Sequence, residues 1–379
     1  MNSLAFRCGV TLFFVLGLAR LCPAEDNWPL WNSYKTYFLS PDGRIVDRDA
    51  GDRTTSEGQS YALFFSLVAN DRQTFDLILN WTEKHLAQGD LGNHLPAWLW
   101  AQGADGNFAI QDANSASDAD VWIAYTLAEA AEIWNEPSYR VRAKSLASQI
   151  AAHEVSMLPK LGPVLLPGPS GFQQASGSLV LNPSYMPLPV ISGLGTHFPY
   201  GPWRNMAKVI PDLLMKADNK GFAMDWIEGG LEDQFLPSAG PGSRACGSYD
   251  AIRVYLWAGM IPEEMAGRQR ILQAVDGMPA YLRTHALPPT CVSAEGVVIE
   301  GNGPVGFSAA VIPLLSATGQ THLANEQESR VRAEHIKASG LYGKQQHYYD
   351  QNLILFSQAW SEHRFHFDRE GRLRLRWKR

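Results

Sequence analysis

Eleven stretches of this chain repeat apolar residues three and four positions apart, a pattern that leaves little room for anything but a helical fold. They lie near 28–39, 56–69, 71–88, 118–134, 138–157, 203–216, 248–260, 263–284, 305–317, 322–339 and 346–361. In the second, Tyr61, Phe64, Phe65 and Val68 form one face. Start signals support several of them: Thr55 or Ser56 precedes the second, Asp71 opens the third, and Pro304 follows Gly303. Short and long connections alternate, which predicts stacked hairpins, and six such hairpins would close into a helical barrel. Strand-like pieces are few: 178–181, 297–299 and the tail 365–377. The tail alternates Arg372, Arg374 and Arg376 with Leu373, Leu375 and Trp377 after a Glu-Gly turn, the pattern of a half-buried strand with a solvated basic edge. Long irregular stretches at 89–117, 158–202 and 221–247 each run into a helix. Loops of that length in a compact domain are usually functional, and these are expected to gather at one rim.

The first residues read as a secretory signal. Arg7 supplies a positive start, 10–18 is almost wholly apolar but too short to span a bilayer, and Cys22-Pro23-Ala24 offers a cleavage site after Ala24. The expected mature chain, 25–379, is 379 − 24 = 355 residues, with no linker to divide it. Losing Arg7 and Arg20 takes the net charge from −6 to −8, a balance that argues against a nucleic-acid partner. Of the cysteines, Cys246 and Cys291 remain. Two are no framework, and an oxidising compartment allows a disulfide as readily as two buried thiols. No metal spacing of Cys and His occurs and no cofactor is implied. Gly301-Asn302-Gly303-Pro304-Val305-Gly306 matches the dinucleotide glycine pattern, but no strand–helix–strand repeats surround it, and it reads as a turn with close helix packing. Asn80-Trp81-Thr82 is a glycosylation sequon inside a helical pattern and is given no role.

Chemistry is concentrated in acids at helix starts. In Ala116-Ser117-Asp118-Ala119-Asp120-Val121-Trp122-Ile123-Ala124, two carboxylates are wedged between small and apolar residues. Buried carboxylates are costly unless paired, and perturbed acids cluster at functional sites. Glu57, in the first turn of the second helix, reads either as an ordinary dipole-favoured acid or as a general acid whose pKa burial and a nearby carboxylate would have to raise. Asp250, within Gly247-Ser248-Tyr249-Asp250-Ala251-Ile252-Arg253, reads either as an N-cap or as a base that positions water, with Arg253 one turn on to pair with it. Acids converging across a cleft with aromatics nearby fit glycosidic-bond hydrolysis. Trp98, Trp100, Trp203, Trp226 and Tyr249 lie in or beside the loops, either as stacking platforms or as packing.

These motifs resemble those of family 8 glycoside hydrolases. The stretch from Ala116 to Trp134 resembles the family signature, with Thr126 standing where Ser or Ala is usual. Ser56-Glu57-Gly58-Gln59-Ser60-Tyr61 resembles the general-acid segment, Tyr249-Asp250-Ala251-Ile252-Arg253 the general-base segment, and the resemblance spans essentially the mature chain. It implies an all-α (α/α)6 barrel with an open groove for a β-1,4-glucan chain and hydrolysis with inversion. Glu57 would protonate the leaving oxygen and Asp250 would activate water. Asp118, described in older accounts of the family as a nucleophile, or Asp120 would instead bind the distorted sugar and tune Glu57. Tyr249 and Arg253 would support the base. Within the family, the resemblance is to the periplasmic enzymes associated with bacterial cellulose synthase. It implies a periplasmic or secreted, monomeric endoglucanase with the synthase complex as a further partner. Hydrolysis of chitosan, xylan or mixed-linkage glucan, or glucan binding without cleavage, are the alternatives.

Overall fold

The computed structural model describes residues 27–217, 220–230, 234–241 and 244–378; the expected signal segment 1–24 lies outside them. Thirteen helices are present among the described residues: α1 (Pro29–Phe38), α2 (Ser56–Val68), α3 (Arg72–Leu86), α4 (Ser117–Ile133), α5 (Pro137–His153), α6 (Leu188–His197), α7 (Trp203–Lys216), α8 (Ile252–Gly259), α9 (Arg268–Ala274), α10 (Gly277–Leu282), α11 (Val305–Ala317), α12 (Thr321–Ala333) and α13 (Tyr348–Ser361). Outer and inner helices alternate along the chain. The inner ring is α2, α4, α6, α8, α11 and α13, and each inner helix follows its outer partner, with α9 and α10 sharing one outer position. This is the (α/α)6 barrel.

Burial follows sequence pattern. The inner helices are apolar nearly all round, as core helices must be. In α2 every residue except Glu57 is buried, and α8 is buried along its whole length. Outer helices bury one stripe, as α5 does with Tyr139, Ala143, Leu146, Ala147 and Ile150. Aromatic rings fill the centre. Phe356 of α13 meets Tyr61, Phe64 and Phe65 of α2 at 5.1, 5.6 and 4.7 Å, Trp122 of α4 at 5.3 Å and Trp257 of α8 at 5.0 Å. Such pairs contribute about 0.5–1.5 kcal/mol each beyond their area.

The structure departs from the sequence pattern in several places. The span 158–202 holds an inner helix, α6, whose start Pro187-Leu188-Pro189 and glycines 193 and 195 conceal it. The span 263–284 is two helices, because Gly277 packs its backbone against Gly221, where a side chain would collide. The loop 89–117 carries an antiparallel hairpin, Ala97–Gln102 with Phe108–Ser115, and the first of these strands also pairs with Thr54–Thr55. After α5, Val155–Leu158 and Gly162–Leu165 form a second hairpin.

The starts of the inner helices share one end of the barrel. The other end is closed by the predicted tail, a hairpin of Phe365–Phe367 and Leu373–Leu375. Leu373 and Leu375 are buried while Arg374 faces out and pairs with Asp368 at 2.7 Å. Tyr125 donates to the Gly371 carbonyl at 2.8 Å, and Trp377 Nε1 to the Val68 carbonyl at 3.0 Å. Gly371 has φ +80°, and a Cβ there would strike the backbone of Pro189 and Gly193, so glycine is required twice over. No helix among the described residues is long and apolar enough to cross a membrane.

Candidate active site

One buried cation organises the cleft. Arg253 projects from α8, 2% exposed, with its guanidinium 5.5 Å from the Tyr185 ring. Its Nη1 donates to Glu57 Oε2 at 2.6 Å, to Asp118 Oδ2 at 2.8 Å and to the Tyr61 hydroxyl at 2.9 Å. Its Nη2 donates to Asp250 Oδ1 at 2.5 Å. Acids from the starts of three inner helices thus converge on one side chain, with the guanidinium between Glu57 and Asp250. A terminal guanidinium nitrogen carries two protons, and three oxygens crowd Nη1, so the acids there are incompletely served.

The electrostatics follow. Burial pushes the Glu57 carboxyl up to about 7, against the pull of Arg253 and with help from the charges of Asp118 and Asp250. Burial also raises Asp118, opposed by Arg253. Glu57 is held by local structure. Thr55 caps α2 by accepting from Gly58 N at 3.2 Å, and Gly58 lies against the Tyr348 hydroxyl, leaving no room for a side chain.

Asp250 is not an N-cap. It sits in a turn before α8, which begins at Ile252, and its carboxyl is turned to Arg253. The capping work is done by a residue that sequence reading missed, Asp225. Its Oδ1 accepts from the backbone N–H groups of Ser248 (2.7 Å), Asp250 (3.1 Å) and Ala251 (2.8 Å), and its Oδ2 from the Ser248 hydroxyl (2.6 Å). The only sequence signal was a lone acid in the apolar run Phe222-Ala223-Met224-Asp225-Trp226. The Cys246–Cys291 alternative resolves as a disulfide, with Cα atoms 6.0 Å apart. It ties the turn that carries Asp250 to the strand Pro289–Val292, and Asp225 N donates to the Cys246 carbonyl at 2.9 Å.

The remaining site residues divide. Tyr249 is half exposed, packed against Phe307 and Tyr349 at 5.1 and 5.9 Å, and its carbonyl accepts from the Tyr349 hydroxyl at 2.5 Å. It borders a hollow that Asp47, Arg53, Tyr349 and Asp350 also line. Trp98 and Trp100 are half-buried on the strand beside Thr55, but Trp100 packs on Trp81 and His85 of α3 at 5.7 and 5.3 Å. Trp226 lies over Phe172, nearly parallel at 6.0 Å, and next to Tyr185. Two expectations need correction. Trp203 is 1% exposed at the start of α7, beyond the far end of α6, and lines a different hollow with Arg140, His197 and Tyr200. A Pro/Gly-flanked Trp looks like a platform in sequence, but here it is packing. Asp120 cannot touch a sugar either, because it is 0% exposed and faces Glu154 beneath the cleft.

This set of acids can deliver one proton and take another across a gap. The profile of Glycosyl hydrolases family 8 matches residues 10–363. The chain belongs to this family. An endoglucanase of Xanthomonas axonopodis pv. citri is 40% identical over 371 residues, which cover 96% of this chain and 94% of that one. An endoglucanase of Escherichia coli K12 is 38% identical, covering 100% and 98%. The crystal structure of an endo-1,4-D-glucanase from Vibrio fischeri superposes with a TM-score of 0.86 at 38% identity, covering 93% of this chain and all of the other. In this family 8 glycoside hydrolase, the Arg253 cluster brings together acids from different helices around a fixed cation and beside aromatic side chains.

Proposed function

We propose that this glycoside hydrolase is an endo-β-1,4-glucanase that cleaves with inversion. The observation that carries the reading is the placement of Glu57 and Asp250 on opposite nitrogens of Arg253, with Glu57 pushed up to about 7 by burial. A carboxyl kept protonated near neutral pH serves as the general acid to the leaving oxygen. Asp250, fixed by Arg253 and by the turn that Asp225 holds, serves as the base toward a water on the opposite face. Asp118 shares Arg253 and contributes negative charge beside Glu57, where it also meets the sugar. Tyr249 and Trp98 offer aromatic surface at the rim. The names of the relatives support β-1,4-glucan as the substrate. In this reading the enzyme works as a secreted or periplasmic monomer and trims glucan beside a cellulose synthase complex during cellulose biosynthesis.

The test is Glu57→Gln and Asp250→Asn on soluble carboxymethylcellulose, with cellulose, chitosan, xylan and lichenan in parallel. Each variant should lose about 10²–10⁴-fold in kcat. Near wild-type release of reducing ends by either variant overturns its role. NMR of the first-formed product should show the α-anomer; a β-anomer overturns inversion.

A further inference from the structure

Two buried acids stand outside the proton transfers just described. Asp120 and Glu154 are each 0% exposed. Asp120 lies in the first turn of α4, two residues past Asp118, and Glu154 is the residue that ends α5. Their carboxyls face each other. Ser115, at the end of the strand Phe108–Ser115, donates to Glu154 Oε1 at 2.5 Å. Both Asp120 oxygens and Glu154 Oε2 lack any further hydrogen-bond partner among the described residues. No cation pairs with either acid there, and the one charged group facing them is Asp118, with Arg253 on its far side.

Two carboxylates buried face to face without a cation cannot both be ionised. One proton between them turns repulsion into a hydrogen bond and satisfies oxygens that would otherwise be orphaned. Backbone bonds converge at the same point: Ser117 N donates to the Pro167 carbonyl at 3.0 Å, and Leu166 N to the Glu154 carbonyl at 2.7 Å. We propose that Glu154 is a positioning residue: it shares a proton with Asp120, and that bond pins the first turn of α4 so that Asp118 meets Arg253 beside Glu57. Burial pushes Glu154 up to about 8, with the charge of Asp118 adding to it, and burial followed by Glu154 itself raises Asp120, so at neutral pH the pair holds at least the one proton that the geometry requires.

The activity part of this proposal rests on the glycanase reading; the proton part does not. In the unfolded chain Glu154 ionises near 4.5, and in the folded chain near 8. Between those values the native state binds the extra proton, so stability declines as pH rises. The Asp120→Asn/Glu154→Gln double variant keeps shape and hydrogen bonding without a titrating proton. Its melting temperature should fall less than that of the wild type from about pH 5 to 8. The infrared spectrum of the wild type minus the double variant at pH 7 should carry a protonated-carboxyl band. On whichever glycan the wild type cleaves, the double variant should keep most of kcat. Glu154→Ala should lose about 10-fold or more, with KM little changed. If Glu154→Ala does not fold, Ser115→Ala carries this comparison and should lower kcat while keeping the pH slope. A difference spectrum holding only ionised-carboxylate bands, or an unchanged slope, overturns the shared proton. Wild-type kcat in Glu154→Ala, or in Ser115→Ala where that stands in, overturns the positioning role. A wild type inactive on carboxymethylcellulose overturns the glucanase reading alone.

Discussion

Arg253 is one cation serving three carboxylates, so it offsets only part of the burial that raises Glu57. The pH dependence follows with a definite sign. Glu57 must be protonated to act as an acid, so kcat/KM should fall as pH rises through about 7. Its effect on stability has the same sign with pH. The unfolded chain releases this proton near 4.5 while the folded chain keeps it to about 7, so folding is progressively disfavoured across that window. Glu57→Gln should therefore be inactive yet more stable at pH 7, by on the order of 2 kcal/mol, with the gain shrinking toward pH 4.5 in thermal melts. Glu57, Asp118, Asp250 and Arg253 were legible in sequence because each sits at or one turn into a helix start, and helix starts announce themselves. Asp225 and Glu154 were not. One is a lone acid in a loop and the other an ordinary-looking helix end, and only the course of the chain brings them against Ser248 and Asp120. Asp120 was found for its spacing and misread in its direction: two residues along a helix from Asp118 turns a side chain well away from its neighbour's face.

In the turn between Cys246 and Ile252, the helix-type bonds of Ile252 N to the Ser248 carbonyl (3.0 Å) and Arg253 N to the Asp250 carbonyl (3.1 Å) are supplemented by Asp225, the disulfide and the paired backbones of Gly247 and Val292. The bridge closes a separation of 45 residues, for which chain entropy gives up to about 4 kcal/mol of stabilisation. Cys246→Ser/Cys291→Ser should lower the melting temperature accordingly and, since the loosened turn carries both Asp250 and Tyr249, lower kcat and raise KM; unchanged kcat and KM would show that the bridge serves stability alone. Among the helices, those with a clear apolar period were read correctly, apart from ends and the break at Gly277. Helix α6 was missed because it is short, mostly apolar and rich in Pro and Gly, so neither period nor propensity marks it. What makes it look like a loop suits it to the inner ring, where Gly193 lets the backbone approach the Tyr125 ring.

The barrel was legible from its helix count, but how its floor is sealed was not. The tail reads as a half-buried strand, yet nothing in sequence says that Gly371 seats on Gly193 or that Trp377 reaches Val68. Phe365, Phe367, Leu373 and Leu375 are all buried there. Their removal forfeits roughly 6–12 kcal/mol of burial, comparable with the whole stability of a domain. Deleting 364–379 should abolish the cooperative melt and give strong binding of a hydrophobic dye; a sharp transition near the wild-type temperature would refute that estimate. The contacts that complete the molecule join very distant parts of the chain: Arg364 to the Asn27 carbonyl across 337 residues, Trp377 to Val68 across 309 and Tyr125 to Gly371 across 246. Contacts of such separation form slowly. During synthesis, the faces of Phe64 and Phe65 must wait for Phe356, which emerges almost three hundred residues later (356 − 64 = 292). A ribosome-bound chain therefore carries the α2 face that Phe356 covers as an open seam until α13 is made.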